Sequence, residues 1–392
     1  MAVATRPEAP SASPAPRRPT RRPWAQKLLV QSIAVAAAVL FAGLVGSVII
    51  LAYGESPGFV YSTLWQFSTA RVSDVARVLE QATPLIFSAL AVAVAFKAGM
   101  FNIGVEGQYI VGMMTATGAA VWLDLPAVIH LPLVVMAAVA GSMSWAFVPA
   151  ILKVKTGAHE VVTTIMMNGI AISLVAWGLL NPLRTSDTGF VDLRSDRFPD
   201  SAIMPPLAPA LGLEEQIPSS AHLTWLFPLA LLACFGVWFL LYRTRLGYEA
   251  RAVGASPGSA EAGGIAIGAV QLKLFLISGA LAGFVGLNYL LGDAGFFGVN
   301  YETTLGFTGI AVAFLGRNHP VGIILAAVLF GILFRGEDGI AVATDLPREI
   351  TVILEGLLIL SVVVAYEIAR RVQLRRQAQV IREEEGESRA AA

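Results

Sequence analysis

Long apolar runs broken by short polar segments dominate the chain, and most run close to the roughly 20 residues that cross a bilayer. They predict helices at 28–53, 82–96, 102–123, a fourth run ending at 152, then 159–181, 223–242, 274–291, 305–316, 321–334 and 350–369. That is about ten spans. Between them, 54–81 reads as a mixed loop, 182–221 as the longest polar connection and 243–273 as a second polar stretch. The runs at 305–316 and 321–334 fall short of a full span. Short segments of this kind mark either broken helices beside a transport cavity or spans bounded too narrowly.

One run violates its own pattern. Segment 97–114 places Asn102, Glu106 and Gln108 among glycines where a spanning helix is expected. A carboxylate at membrane depth is penalised by several kcal/mol unless it faces a cavity or a partner, so it marks a functional site by default. Asn168, with Thr164 one turn before it, is a second polar point inside a span. For Asn168 two readings stand level, a path-lining group and an inter-helix hydrogen bond; for Asn288 the structural reading is stronger. Glu355 in the last run is a weaker case of the same kind. Ile103-Gly104-Val-Glu-Gly107 also echoes Leu305-Gly306-Phe-Thr-Gly309, five runs later. An odd separation gives the two copies opposite orientation, as in inverted-repeat transporters.

Composition agrees with the runs. With 56% hydrophobic and 14% charged residues among 392, the chain is too apolar for a soluble domain. Net charge is zero, yet the 27 basic residues are unevenly placed. Ten spans with both termini inside leave only Arg71, Arg77, Arg184, Arg194, Arg197, Arg335 and Arg348 outside, which satisfies the positive-inside rule. Residues 1–27, rich in Pro, Ala, Ser and Arg, read as a disordered cytoplasmic tail. The run that follows exceeds a signal-peptide core and reads as an uncleaved span. Residues 28–371 form the membrane domain, and 372–392 a charged cytoplasmic tail. The single cysteine, Cys234, allows no internal disulfide.

Enzyme signatures are missing. No Gly-Lys pair exists, so there is no phosphate-binding loop of the GxxxxGK[ST] kind, and the four scattered histidines make no metal cluster. Gly254-Ala255-Ser256-Pro257-Gly258 has the spacing of a nucleophile elbow. Pro257 lacks the N–H that an oxyanion hole needs there. The segment instead predicts a short helix running through Ala262, with Ser256 as N-cap and Pro257 at its first position. Such a helix in the inner stretch 243–273 suits docking against another protein or serves as an ordered linker. Gly279-x-x-x-Gly283 predicts close helix packing within the bundle rather than a dimer interface.

Three blocks carry a family likeness. Phe96-Lys-Ala-Gly-Met-Phe-Asn-Ile-Gly-Val-Glu-Gly-Gln108 resembles the hallmark segment of permease subunits of bacterial ABC importers for nucleosides, those served by basic-membrane-lipoprotein-type binding proteins. Gly157-Ala-His-Glu-Val-Val-Thr-Thr-Ile-Met-Met-Asn168 is similar to a second block of that family. Arg251-Ala-Val-Gly-Ala-Ser-Pro-Gly-Ser-Ala260 is similar to its coupling loop. The wider superfamily includes permeases for simple sugars and branched-chain amino acids. The likeness covers 82–369. It implies an all-α, polytopic, type II-like importer permease with inverted repeats in the bacterial cytoplasmic membrane. It also implies a partner ABC ATPase that holds the ATP and Mg, a second permease subunit and an extracytoplasmic binding lipoprotein. This chain is expected to bind no cofactor and no nucleic acid.

The expected roles follow. Asn102, Glu106, Gln108, Thr164 and Asn168 line the solute path, and Arg251, Ala252, Gly254, Ala255, Ser256, Pro257, Ala260 and Gly264 couple to the ATPase. Two rivals are weighed against this: a secondary transporter that moves protons through Glu106 or Glu355, and a non-transporting scaffold or intramembrane enzyme.

Overall fold

The computed structural model describes residues 23–371, apart from 186–192, 219, 345, 347–351 and scattered positions from 354 to 370, with backbone alone at 23–35 and 38. Thirteen α-helices are described, and no strand is present among these residues. The expected last span is described only at scattered positions, and Glu355, most of the N-terminal tail and the C-terminal tail lie outside the described residues.

The first helices are α1 (Pro23–Ala52), α2 (Pro57–Thr69), α3 (Val72–Lys97), α4 (Val105–Trp122), α5 (Ala127–Thr156) and α6 (Glu160–Leu180). After a single turn, α7 (Ala208–Leu211), come α8 (Leu226–Arg243), α9 (Arg245–Ala255), α10 (Pro257–Ala262), α11 (Ile267–Ala282), α12 (Leu305–Leu315) and α13 (Pro320–Ala343). Five helices are long and apolar enough to cross a membrane, or six when α1 and α2, bent by 115°, count as one span. Helices α11 and α12 are apolar but short. The chain is a multi-pass all-α membrane protein.

Helix α3 is the axis. Every side chain from Ala82 to Ala95 is buried, as befits a helix apolar on all sides. Helices α8, α11, α12 and α13 surround it. The packing is reciprocal between two three-helix halves, α3 to α5 and α11 to α13: α3 lies on α13 as α11 lies on α5, so the first helix of each half contacts the third helix of the other. Small residues permit the approach. A Cβ on Gly331 of α13 would sit 2.5 Å from the Val78 carbonyl oxygen, and one on Gly283 of α11 would sit 2.8 Å from the Val139 Cα. The Gly279/Gly283 pair thus serves packing inside the bundle, as its spacing predicts. At the N-terminal end of α3, Asp74 meets Arg335 of α13 at 3.1 Å.

Two expectations need correction. Residues 54–81 are not a loop but form α2 and the first turns of α3. Their hydropathy is modest, and Val60 and Leu64 form a small core with Ile50 and Ile340, so tertiary packing supplies what composition does not. The N-terminal helix also begins at Pro23, ahead of the expected Leu28. The polar connection 182–221, where described, is an ordered cover. The Ser195 and Phe198 N–H groups donate to the Phe297 and Gly295 carbonyls at 2.7 and 2.8 Å. Phe198, Met204, Leu207 and Ile217 are buried beneath it, and His130 meets Ser201 at 2.8 Å.

Elsewhere α5, α6 and α8 expose apolar faces that include Met136, Phe147, Ile165, Trp177, Phe235 and Phe239. Such faces belong against lipid or another apolar chain.

Candidate transport site and coupling surface

All five residues expected along the path gather at the opening of α4. Asn102 is wholly buried. Its Oδ1 accepts from the Gly104 N–H and from Gln108 Nε2, both at 3.0 Å. Its Nδ2 donates to Gln108 Oε1 at 3.0 Å and to Ser278 Oγ of α11 at 2.8 Å. The Ser278 hydroxyl in turn donates to the Ala91 carbonyl of α3 at 2.6 Å. An amide pair thus ties α4 to two other helices.

Helix α6 closes the other side. Asn168 Oδ1 accepts from the Gly107 N–H at 2.9 Å, and its Nδ2 donates to the Ile103 carbonyl at 3.0 Å. Thr164 is buried and bonds back to the Glu160 carbonyl at 2.7 Å. A Cβ on Gly107 would sit 2.8 Å from Asn168 Oδ1, and one on Gly104 would sit 3.0 Å from Thr164 Cβ. The glycines are therefore the room in which α6 lies against α4. The first four N–H groups of any helix lack intrahelical partners, and here Asn168 meets one of them.

Glu106 faces α12 instead. Helix α12 starts beside Ser88, midway along α3, and the Ser88 hydroxyl donates to the Leu305 carbonyl at 2.9 Å. It is a short helix of 11 residues, fed by irregular backbone in which Glu302, Thr303 and Thr304 are exposed and the first helical residues are buried. Glu106 holds its start. Its Oε1 accepts from the Thr304 N–H at 2.8 Å and the Tyr109 hydroxyl at 2.9 Å, and its Oε2 accepts from the Gly306 N–H at 2.9 Å. The Tyr109 oxygen also lies 2.8 Å from the Glu302 carbonyl, so its single proton is shared between the two acceptors. The carboxylate caps a helix in the other half of the chain and meets the positive end of its dipole. A Cβ on Gly306 would lie 2.5 Å from the Glu106 nitrogen, so the two echoed segments touch.

No local pattern marks Ser278 or Thr304. Tyr109 carried a faint one, standing three residues after Glu106 on the same helix face.

In segment 243–273 the predicted helix is present as α10, from Pro257 to Ala262. Ser256 Oγ accepts from the Ser259 N–H at 3.4 Å, and Thr244 caps α9 in the same manner at 3.2 Å. Gly254, Ala255, Ser256 and Pro257 form an exposed strip, while Ala260 is buried and Ala252 half-buried. Gly264 adopts φ +80, the left-handed turn that lets the chain leave α10. Arg251 folds back, donating to the Leu241 carbonyl, with its guanidinium 5.5 Å from the Tyr242 ring. Beside α9, a cleft of about 540 Å³ is lined by Arg245, Glu249, Gly264 and Lys273.

A short helix, α12, is thus capped from the opposite half of the chain, and two short helices, α9 and α10, form a partly exposed segment between α8 and α11. Residues 75–363 match the family described as the permease component of branched-chain amino acid transport systems. The chain belongs to this family. It is 38% identical to the guanosine ABC transporter permease protein NupP of Bacillus subtilis, over 82% of this chain and 90% of that one. A glucose ABC transporter permease protein of Haloferax volcanii is 35% identical over 82% of this chain and 84% of its own. The nucleoside ABC transporter permease protein NupB of Lactococcus lactis is 30% identical over 88% and 92%. The protein is thus a permease of an ABC importer, a family of membrane components that are not themselves enzymes. Membership implies an ATPase and a binding protein as partners. Bacillus subtilis and Lactococcus lactis each hold a second relative of this chain, NupQ at 28% and NupC at 24% identity, which suggests a second permease subunit.

Proposed function

We propose that this permease imports nucleosides, driven by ATP and Mg bound on a separate subunit, with this chain holding no cofactor. The observation that carries the solute class is its similarity to proteins named for guanosine and nucleosides. The chemistry of the α4 opening suits it. Asn102, Gln108, Asn168 and Thr164 bring uncharged amide and hydroxyl groups beside the path of a neutral, hydroxyl-bearing solute; buried and bonded to one another, they would reach it only as the α4 opening rearranges during transport, while Glu106 holds the α12 end of the path. Solute passes from the binding lipoprotein along this junction by alternating access and is held weakly, because tight retention would slow its exit.

The segment from Arg251 to Gly264, through its exposed strip Gly254 to Pro257, meets the ATPase. Residues 28–371 form the permease domain, with coupling segment 243–273, and both flanking tails lie in the cytoplasm of a bacterial cell. A second reading, import of a simple sugar, draws on the Haloferax volcanii relative. The test is uptake by the reconstituted complex. Expected is ATP-dependent accumulation of labelled guanosine that excess glucose leaves intact. Competition by glucose supports the sugar reading, and uptake that collapses with the proton gradient at constant ATP overturns both.

A further inference from the structure

The residues expected along the path share one property: Asn102, Glu106, Gln108, Thr164 and Asn168 are all buried and bonded within the protein. A solute meets the surface that water meets. The segment that enters α12 offers such a surface. Asn300, Glu302, Thr303 and Thr304 are exposed, with Tyr301 half-buried among them, whereas Leu305 and Gly306 are buried. Phe307, in the first turn of α12, is 48% exposed, and Val299 is 46% exposed.

The depth of this segment follows from α3, whose 26 residues are long and apolar enough to cross a membrane. The Ser88 hydroxyl of α3 holds the Leu305 carbonyl at 2.9 Å. Helix rise places Ser88 about 24 Å from Val72 and about 14 Å from Lys97. At the far end of α12 the Phe314 ring lies 5.5 Å from that of Phe96, so α12 runs alongside the last turns of α3. Segment 300–304 therefore lies within the length of α3 and not at its ends. On its other side the Val299 N–H donates to the Leu193 carbonyl at 3.2 Å, which joins the segment to the ordered cover.

Polar residues are exposed at such a depth where water reaches them. Lipid, or the apolar core of a subunit interface, would strip the Glu302 carboxylate of its solvation at a cost of several kcal/mol; a water-filled path would not. Irregular backbone within a bilayer is tolerated on the same condition. Glu106 and Tyr109 fix the segment from behind, at the Thr304 N–H and the Glu302 carbonyl. Both contacts are to backbone atoms, and Glu302 and Thr304 stay exposed.

We propose that Glu302, Thr303 and Thr304, with Asn300 and Phe307 at either end, form the strip of this permease that touches solute in transit. Its chemistry takes a neutral molecule with a ring and vicinal hydroxyls. The carboxylate accepts from two hydroxyls, the threonines donate and accept, and Phe307 supplies an apolar face. The identity of the solute rests on the nucleoside reading; the place of the strip rests on the geometry of α3 and α12.

The test is accessibility in the reconstituted complex. Cys234 is the single cysteine and is buried, so a Cys234→Ala background has no thiol. In it, Thr303→Cys should react with a charged, membrane-impermeant methanethiosulfonate, and labelling should abolish uptake. Guanosine delivered with the binding protein should slow the reaction. Met166→Cys, 64% exposed on the apolar face of α6, should stay unreactive. Glu302→Ala should lower guanosine uptake about tenfold, the loss of one hydrogen bond to a charged group, and Glu302→Asp should recover part of it. A Thr303→Cys protein that stays unlabelled with and without ATP means that lipid or the second subunit covers the strip, and overturns the proposal. Labelling that no solute slows, or full uptake by Glu302→Ala, overturns it as well. Any of these results with guanosine uptake intact in the parent leaves the nucleoside reading standing. Protection by glucose and not by guanosine keeps the strip and overturns that reading instead.

Discussion

The openings of α4 and α12 start from similar sequences and are stabilised in opposite ways. Each begins with a glycine pair at the same spacing, Gly104 with Gly107 and Gly306 with Gly309, and each pair admits a crossing neighbour. At α4 the polar groups come from nearby: Asn102 and Gln108 pair with one another, and Asn168 reaches across from α6. At α12 no side chain caps the helix locally, Thr304 sits at φ +80, and two N–H groups rest on a carboxylate from the first half. One opening is supported chiefly by its own half, with Ser278 the exception, while the other is held chiefly from outside. The second is therefore where one change removes the most, and where the two halves are bound most directly.

Glu106→Ala gives the largest expected effect. It takes the acceptor from the Thr304 and Gly306 N–H groups and from the Tyr109 hydroxyl, and an unsatisfied buried donor such as that of Gly306 costs about 1–3 kcal/mol. The expected loss is about 3 kcal/mol or more, read as a fall in the thermal unfolding midpoint of the purified protein together with lost uptake. Glu106→Gln keeps one acceptor oxygen and should fall between. A stable Glu106→Ala protein with intact transport would end the capping argument.

Next come the glycines. An alanine at Gly306 meets the Glu106 backbone, which cannot turn aside, whereas one at Gly104 meets chiefly the side chains of Gln108, Thr164 and Asn102. Overpacking of this kind costs about 1–3 kcal/mol. Gly306→Ala should therefore sit at the upper end and Gly104→Ala at the lower, each measured against the parent in the same detergent. Equal effects would mean that both openings yield alike.

Asn168→Leu should be smaller, about 1–2 kcal/mol, because it removes the acceptor for the Gly107 N–H and the donor to the Ile103 carbonyl while filling similar space. It also separates structure from transport. A variant that keeps its unfolding midpoint but loses uptake would place Asn168 against solute.

What the chain discloses by itself follows from where the signal resides. Ser256 and Pro257 announce α10 because capping is local, and Gly279 with Gly283 announces a packed face of α11 because small residues at that spacing have few other uses. Glu106 was visible as an anomaly and Asn102 with Gln108 as its companions. The partners of Glu106 were not, since they are backbone N–H groups that any residue carries. Helix α2 was hidden for a related reason. Its support is Leu64 against Gly336 and Phe67 against Gly339 of α13, contacts that no local window contains.

The smallest predicted difference probes the reciprocity of the halves most finely. Ser278 of α11, in the second half, donates to Ala91 and accepts from Asn102 at the α4 opening; Ser88 of α3, in the first half, donates to Leu305 at the α12 opening. Each half thus lends a serine to the other's opening. Ser88→Ala removes one donor from a carbonyl already inside a helix, and inter-helix hydrogen bonds in membranes are worth roughly 0.6 kcal/mol on average. Ser278→Ala also deprives the buried Asn102 amide of an acceptor, leaving it only Gln108. The expected order is Ser278→Ala more destabilised than Ser88→Ala by roughly 0.5–1 kcal/mol. The reverse order would place the weaker support at α12 on Ser88 as well as Glu106, and would remove the claim that α4 is sustained chiefly by the amide pair.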